Sequence, residues 1–243
     1  KESFMANNYH DATGVLMLDR VTPVISALFG AFHLDGSYPG NGKAYIARLA
    51  EINDPQWSDV LDGLMALAAQ LDLPVPDEAE GEDGEDRDTE LSMPALIDLI
   101  APHFGADQNQ DLANLIEHHP FEGSADLDAL FLIATCFDDG HHLVAIQLEG
   151  CWRCSRPRLF EFGGHGCFIS RELTVSSEST HALQLGAELR TAILAGDLAA
   201  AANRIANETL ALLAAITDDQ VRARLRRTVA DRLLTDPSSV AAG

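Results

Sequence analysis

Cysteine and histidine side chains that could bind a metal ion are concentrated in one short stretch of this 243-residue sequence. Cys151 and Cys154 form a C-x-x-C pair, and His165 and Cys167 complete a set of four within seventeen residues. Zinc takes four thiolate or imidazole ligands in a tetrahedron, and a C-x-x-C pair commonly supplies the first two. If a hairpin brings the two pairs together, these residues form a zinc site that is either structural or catalytic.

Two other interpretations of the cysteines need no metal ion. Free cysteines commonly serve as small apolar residues, which would account for Cys136, Cys151 and Cys167. A redox C-x-x-C pair normally sits at a helix N-terminus that lowers the thiol pKa, whereas Cys154 leads into Ser155-Arg156-Pro157. Four cysteines in a chain of this length do not make a disulfide scaffold, so we expect reduced thiols.

A second run with metal-binding side chains is Asp138-Asp139-Gly140-His141-His142. Carboxylate and imidazole groups both bind divalent metals. However, Asp-Asp-Gly between apolar segments is also typical of a hairpin turn, because these residues tolerate the backbone angles that a tight turn requires. We interpret the run as a turn.

Arginines and aromatic residues are interspersed in the same region, which contains Arg153, Arg156, Arg158 and Arg171 together with Trp152, Phe160, Phe162 and Phe168. Arginine beside exposed aromatic rings on a sheet is typical of proteins that bind single-stranded nucleic acid. The alternative is that these arginines pair with the acidic remainder of the chain. We favour internal pairing, and direct binding of nucleic acid is not expected.

The pattern of apolar residues predicts an α+β fold in which residues 127–176 form a four-stranded antiparallel meander. Its strands would be ALFLIATCF, LVAIQLEGCW, LFEF and CFISRELTV, joined by turns at DDGHH, CSRPR and GGHG. After the meander, helical periodicity and a capping box at Thr217-x-x-Gln220 predict a C-terminal helical hairpin.

Residues 5–73 are predicted to be an N-terminal helical region. Thr22-Pro23 and Asn53-Asp54-Pro55 each combine a capping residue with a proline, which indicates two helix starts. A further helix is predicted for Lys43–Ile52, and Gly14–Asp19 is predicted as an edge strand or a first helical turn. Residues 74–91 are predicted to be a disordered acidic linker, because residues 77–90 contain nine acidic residues and no large apolar one. Residues 92–243 are predicted to form the α+β region.

The net charge of −22 belongs entirely to the first part of the chain. Residues 1–140 contain 27 acidic and 5 basic residues, whereas residues 141–243 contain 11 of each. Such a field opposes binding to nucleic acid or to an anionic membrane, and it favours a basic protein partner. No apolar run approaches the ~20 residues of a membrane span. The N-terminus has no basic segment followed by an apolar one, so we expect a cytoplasmic protein.

The N-terminal run MANNYHDATGVLMLDRVTPVISALFGAFHLDGSYPGNGKAYIARLAE resembles that of uncharacterised accessory proteins of proteobacterial integrative conjugative elements. The resemblance covers about the first fifty residues and includes no motif of known chemistry. It implies a bacterial cytoplasm and a mobile genetic element. Proteins in that setting commonly act on host defence or on transfer machinery.

These observations predict a non-enzymatic, acidic interaction protein that engages a basic partner and would act as a DNA-mimic-like inhibitor of host defence. No cofactor is expected under this hypothesis. The alternative is a zinc-binding protein that uses Cys151, Cys154, His165 and Cys167. The alanine-rich stretch 198–216 would also suit close packing of helices within one chain or between two copies, so a homo-oligomer is a third possibility.

Overall fold

A computed structural model describes residues 8–50, 52–74, 92–156, 159 and 161–235. It confirms an α+β protein with an antiparallel sheet. The strands are β1 (Asn8–Met17), β2 (Asp35–Pro39), β3 (Lys43–Arg48), β4 (Ala145–Cys154), β5 (Phe162–Ser170) and β6 (Thr174–Glu178). The helices are α1 (Pro23–Phe29), α2 (Trp57–Gln70), α3 (Met93–Ile100), α4 (Gln110–His118), α5 (Leu127–Cys136), α6 (Ser179–Leu194), α7 (Leu198–Ala214) and α8 (Asp219–Leu234). None of the helices in the described ranges combines the length and the apolar character needed to cross a bilayer.

The strands form one sheet in the order β2-β3-β1-β4-β5-β6, and all neighbouring pairs are antiparallel. The register of β4 with β1 on one side and with β5 on the other continues without a shift from Ala145 to Arg153. Successive side chains of a strand point to opposite faces, so this register determines which residues share a face.

One face of the sheet carries the main core. Leu16, Ile46, Ile146 and Ile169 lie on this face in four different strands, and each is at most 4% exposed. Helices α1 to α5 cover these residues, and the largest buried side chains that they contribute include Phe29, Trp57, Leu64, Leu96 and Leu112. Burying a side chain of this size contributes about 1.5–3 kcal/mol to the free energy of unfolding.

Several helices begin at the residues that their sequences indicate. The Thr22 hydroxyl accepts a backbone N–H of the first turn of α1 at 3.4 Å. Ser92 and Asn109 cap α3 and α4 in the same way. The last helix, α8, is capped by Asp218 rather than by the predicted Thr217.

The first predicted strand of the meander is wrong, because that run forms helix α5. The side chain of Asp126 accepts the backbone N–H of Ala129 at 2.9 Å and caps the helix. Leu130, Ile133 and Ala134 are fully buried with the spacing of a helix. Nearly every position of the run is apolar, so the sequence lacks the polar positions that distinguish a helix from a strand.

The predicted helix Lys43–Ile52 is also wrong, because strand β3 occupies its first half. Ala44 and Ile46 point to the core, whereas Tyr45 points to the other face. The preceding segment Gly40–Gly42 has positive φ angles of 78°, 55° and 76°, which close a hairpin between β2 and β3. Pairing with β1 and β2 therefore outweighs the helical propensity of the segment.

Gly14–Asp19 is neither an edge strand nor a helical turn. Most of it belongs to β1, which is paired with β3 on one side and with β4 on the other, in the middle of the sheet. The predicted N-terminal helical region, residues 5–73, thus supplies three of the six strands. The sheet is shared between the regions on either side of the predicted linker, of which residues 75–91 lie outside the described residues.

The GGHG sequence is not a turn, because it lies inside strand β5. The indole of Trp152 in β4 covers Gly163, where a Cβ atom would come within 2.0 Å of the ring. A glycine is therefore required for this close approach. The region 127–176 contributes three strands rather than four, and DDGHH connects α5 to β4 instead of closing a hairpin.

Helices α6, α7 and α8 confirm the predicted helical C-terminal region, and we call residues 179–235 the C-terminal arm. The helix pair α6–α7 is attached to the sheet at both of its ends. Helix α6 continues directly from β6, and the end of α7 returns to the β5–β6 connection. There, Leu173 forms a bridge with Ile216, and the N–H of Thr217 donates to the Glu172 carbonyl at 2.9 Å.

Candidate functional site

The C-x-x-C pair is divided between the two faces of the sheet. Cys151 and Cys154 are three residues apart on the same uninterrupted strand, so their side chains point in opposite directions. In agreement with this placement, Cys154 is only 5% exposed, whereas Cys151 is exposed to solvent. The two thiols therefore do not converge on one ion.

The other predicted zinc ligands lie farther along the sheet. His165 is paired with Gly150, and Cys167 is paired with Leu148. At about 3.3 Å per residue, the level of Cys154 is about 13 Å from that of His165 and about 20 Å from that of Cys167. Tetrahedral zinc with bonds of about 2.3 Å requires ligand atoms about 4 Å apart. The structure does not bring the four predicted ligands together.

Two of the four thiols are weaker acids than an ordinary cysteine thiol. Burial raises the pKa of Cys136. Burial, and then the nearby Asp128 carboxylate, raise the pKa of Cys167. A thiol with a raised pKa is a poor nucleophile at neutral pH, because little of it is thiolate. Their position against the core agrees with the interpretation of these cysteines as small apolar packing residues.

Three aromatic rings from three strands stack on the face of the sheet that carries the core. The ring centroids of His10 and His165 are 4.8 Å apart, and those of Trp152 and His165 are 6.2 Å apart. Burial, followed by the neighbouring His165, lowers the pKa of His10, which favours the neutral ring. Sequence reasoning missed this cluster because His10 lies outside the predicted sheet, and only the strand register brings it beside His165.

His141 is fully buried, and both of its ring nitrogens bind the backbone. Its Nε2–H donates to the Ala134 carbonyl at 3.1 Å, and its Nδ1 accepts the N–H of Leu143 at 2.8 Å. Burial lowers the pKa of His141, although Asp138 and Asp139 act in the opposite direction. The tautomer that satisfies both hydrogen bonds has no lone pair free for a metal ion.

Asp138, Asp139 and His141 are the group of described residues whose ligand atoms lie close enough for a shared cation, within 4.8 Å of one another. The Oδ2 of Asp139, however, accepts the N–H of Val24 at 3.2 Å in the first turn of α1. A carboxylate is stabilised there by the unpaired N–H groups of the helix N-terminus. With His141 committed to the backbone, two carboxylates remain, which is a poor ligand set for Mg²⁺ or Ca²⁺.

The rest of the DDGHH loop is also organised by internal hydrogen bonds. The Oδ1 of Asp138 accepts the N–H groups of Gly140 and His142 at 2.9 and 3.2 Å. Partial burial acts against ionisation, but the bonds from His142 and Gly140 outweigh it and lower the pKa of Asp138. His142 lies 2.8 Å from the Asp19 carboxylate, which raises the pKa of His142. The loop ties α5, β4 and the end of β1 together.

The arginines of the sheet engage groups of this chain. Arg153 lies over the Tyr9 ring, 5.0 Å from its centroid, and 4.0 Å from the Asp11 carboxylate. Arg171 donates to a backbone carbonyl near the end of α5 at 3.3 Å. Arg158, another member of the predicted basic patch, lies outside the described residues. These contacts favour the expected internal pairing.

The helices that cover the sheet carry charge of one sign. Between Arg48 and Arg153 the sequence contains a single lysine or arginine, Arg87, and this residue lies outside the described ranges. Residues 52–74 and 92–128, which we call the acidic layer, therefore contain eleven carboxylates and no lysine or arginine. The sequence places the acidity in the first part of the chain. Among the described residues, eleven of these carboxylates lie on helices α2 to α5 and the loops that adjoin them.

Most carboxylates of the acidic layer have no cationic partner in the described part of the chain. Arg48 reaches Asp54 at 2.6 Å, and His119 reaches Asp126 at 2.8 Å. Nine others are exposed and form no ion pair with a described residue: Asp59, Asp62, Asp72, Asp98, Asp107, Asp111, Glu117, Glu122 and Asp128. The layer therefore presents uncompensated negative charge to the solvent.

Comparison with protein-family models, curated proteins and solved structures gives no match for this chain. Function must therefore be inferred from the geometry and charge of the molecule itself. Among the described residues, the acidic layer contains more unpaired charged side chains than the group of Asp138, Asp139 and His141. The acidic layer is therefore the stronger candidate for a functional surface.

Proposed function

We propose that this chain is a non-enzymatic interaction protein whose acidic layer binds a basic surface of a partner protein. The observation that carries the proposal is the set of eleven carboxylates, without lysine or arginine, on helices α2 to α5 and the loops that adjoin them. Charge of one sign on a protein surface creates a potential that attracts a partner of opposite sign and accelerates its encounter.

The helices hold these carboxylates on a rigid support. Trp57 and Leu64 of α2, Leu96 of α3 and Leu112 of α4 are each at most 2% exposed in the common core. The helix backbones, and with them the exposed carboxylates, are therefore positioned before a partner arrives. Binding to a preorganised surface costs less conformational entropy than binding to a segment that must first become ordered.

The resemblance of the N-terminal segment to proteins of integrative conjugative elements suggests which basic proteins are relevant. We propose a partner from host defence or transfer machinery in the bacterial cytoplasm, with a basic surface that normally binds DNA. The acidic layer would then occupy that surface in place of the phosphates. Duplex DNA should compete with this protein for such a partner. Simultaneous binding of both would argue against DNA mimicry.

A lysine-rich peptide is a defined probe for the acidic layer. Its binding can be followed by fluorescence anisotropy over a range of sodium chloride concentrations. Binding through exposed charges should weaken at least about tenfold between about 50 and 200 mM salt, because salt screens these charges. Binding that is insensitive to salt would contradict the proposal.

A further inference from the structure

The C-terminal arm buries very little of its apolar surface. Among the residues of α6, α7 and α8, only Ala201 and Leu213 are buried. By contrast, eleven of the seventeen exposed large apolar side chains in the described part of the protein lie in this arm. Concentrated exposed apolar surface is typical of an interaction site.

The clearest apolar stripe runs along α7. Leu198, Ile205 and Leu212 follow one another at intervals of seven residues and are 72%, 55% and 62% exposed. Seven residues are nearly two helical turns, so the three side chains lie on one side of the helix. Ala202 on the same side leaves room for a close neighbour. This repeat is the pattern by which one helix packs along another.

Helix α8 is even less covered than α7. None of its residues is buried, and the Arg222 guanidinium anchors only its start by donating to the Ile216 carbonyl at 2.7 Å. Its apolar seam contains Val221, Leu225 and Leu233, which are 44%, 41% and 76% exposed. A helix of 16 residues is marginally stable in water without packing. The seam therefore offers apolar surface that a partner could cover.

Charge indicates what that partner is. The arm contains seven arginines and six carboxylates, a net charge of +1, whereas the whole chain carries −22, which leaves −23 for the remainder. Two copies that met through the acidic layer would bring like charges together, which is unfavourable. The arm is nearly neutral, so two copies can approach each other there with little repulsion.

We propose that the C-terminal arm forms a two-fold symmetric dimer with the arm of a second copy. The α7 stripe lies at the centre of this interface, and the α8 seam lies beside it. A standard protein interface buries about 800 Å² per partner, of which roughly 60% is apolar. Eleven large apolar side chains of one arm are 41% to 85% exposed, which is enough to supply apolar surface on that scale.

Other occupants fit this surface less well. A basic protein would meet the arginines of α8, and the acidic layer is a better surface for it. A nucleic acid would find those arginines but would leave the α7 stripe exposed, and the −23 charge of the remainder would repel it. The proposed dimer does not depend on the basic partner of the acidic layer, because the two surfaces are formed by different residues.

Sedimentation equilibrium of the full chain tests the dimer, with Ile205→Glu as the main variant. Ile205 is exposed and glutamate favours helix, so the variant should keep the circular dichroism spectrum of the wild type. Each substitution occurs twice in a two-fold interface, so the dimer dissociation constant should rise at least about 100-fold. Ile205→Leu should preserve the dimer. Met65→Glu adds the same charge at a 39% exposed position of α2 and should also preserve it.

Added sodium chloride should leave the dimer unchanged or make it tighter, because its contacts are apolar. A wild-type protein that stays monomeric would overturn the proposal, as would an Ile205→Glu variant that dimerises as tightly as the wild type. Dissociation of the dimer by salt, together with its loss in Arg226→Gln, would instead indicate that α8 of one copy contacts the acidic layer of another. That result would also overturn it.

Discussion

The Nε2 of His141 lies 3.1 Å from the carbonyl oxygen of Ala134, inside the core and out of contact with solvent. The opposite nitrogen accepts the N–H of Leu143 at 2.8 Å, so the two bonds together require a neutral imidazole. The DDGHH sequence thus provides a buried structural histidine, which holds the connection between α5 and β4.

Acidification should lower the free energy of unfolding through this histidine. Burial lowers the pKa of His141 in the folded protein below the ordinary value of 6.5. Between the lowered pKa of the folded protein and the ordinary value, the unfolded chain binds more protons than the folded protein does. The stabilisation that is present above about pH 6.5 is therefore lost as the pH falls. His10, whose pKa is also lowered by burial, adds to the effect. Urea titrations at about pH 7.5 and about pH 5.5 measure it.

Variants can separate the contributions of the histidines. His141→Asn should cost about 1–3 kcal/mol at neutral pH because buried backbone groups lose their partners, and it should make the fall toward acid pH shallower. The pKa of His142 is raised by Asp19, so its contribution is present at low pH and lost as the pH rises. His142→Gln should therefore steepen the acid-induced loss. A pH dependence unchanged in His141→Asn would contradict the assignment.

Two glycine-to-alanine substitutions in helices should have opposite effects. A Cβ atom at Gly63 of α2 would lie 2.1 Å from the Ala27 carbonyl oxygen of α1, where the two helices touch. Gly63→Ala should therefore destabilise the protein by about 1–3 kcal/mol. Gly186 of α6 has nothing within 4 Å of such an atom, and Gly186→Ala should stabilise by about 0.5–1 kcal/mol. Urea denaturation compares them, and stabilisation by both would contradict the described α1–α2 contact.

The cysteines should differ in reactivity in a way that reflects their positions. Cys151 is exposed and should react rapidly with a disulfide reagent. Cys154 is 5% exposed, and burial raises the pKa of Cys136 and Cys167, so these three should react slowly. Cys151→Ser should remove the fast phase. Zinc is not expected to protect the thiols, and protection of Cys151 and Cys154 together by one zinc ion per chain would contradict their placement on opposite faces.

Local signals in the sequence predicted the α+β class and the start of α1 but not the strand pairing. They also placed two helix starts too early, because α2 begins at Trp57 rather than at Asn53-Asp54-Pro55 and α8 is capped by Asp218 rather than Thr217. Thr22 acts through a neighbouring backbone group, so its role can be read from a few residues. Strand β3 depends on pairing with β1 and β2. The sequence of α5 is almost uniformly apolar, so it lacks the polar positions that would reveal a helical period. These elements are determined by contacts that are distant in sequence.

The structure does not bring the four predicted zinc ligands together, and the sequence alone contains the reason. The predicted strand LVAIQLEGCW ended at Trp152, whereas β4 continues to Cys154. On a strand that includes both cysteines, alternation alone separates Cys151 from Cys154. The acidic layer, in contrast, was predicted only as a charge imbalance, because its location depends on how helices α2 to α5 and their loops pack on the sheet.

Removing charges from the acidic layer tests the proposed function by location. The triple variant Asp62→Asn, Asp98→Asn and Glu117→Gln neutralises exposed side chains that form no ion pair with a described residue. These positions make no described side-chain hydrogen bond, so the fold and its free energy of unfolding should change little.

The matched control also removes three charges, through Glu172→Gln, Glu178→Gln and Asp231→Asn, which lie outside the acidic layer. The decisive measurement is the dissociation constant of the lysine-rich peptide for the wild type and the two triple variants at the same salt concentration. The layer variant should bind about tenfold more weakly than the wild type, and the control should bind nearly as tightly as the wild type. Equal weakening in both variants would show that net charge alone attracts the peptide and would contradict a binding surface on the acidic layer.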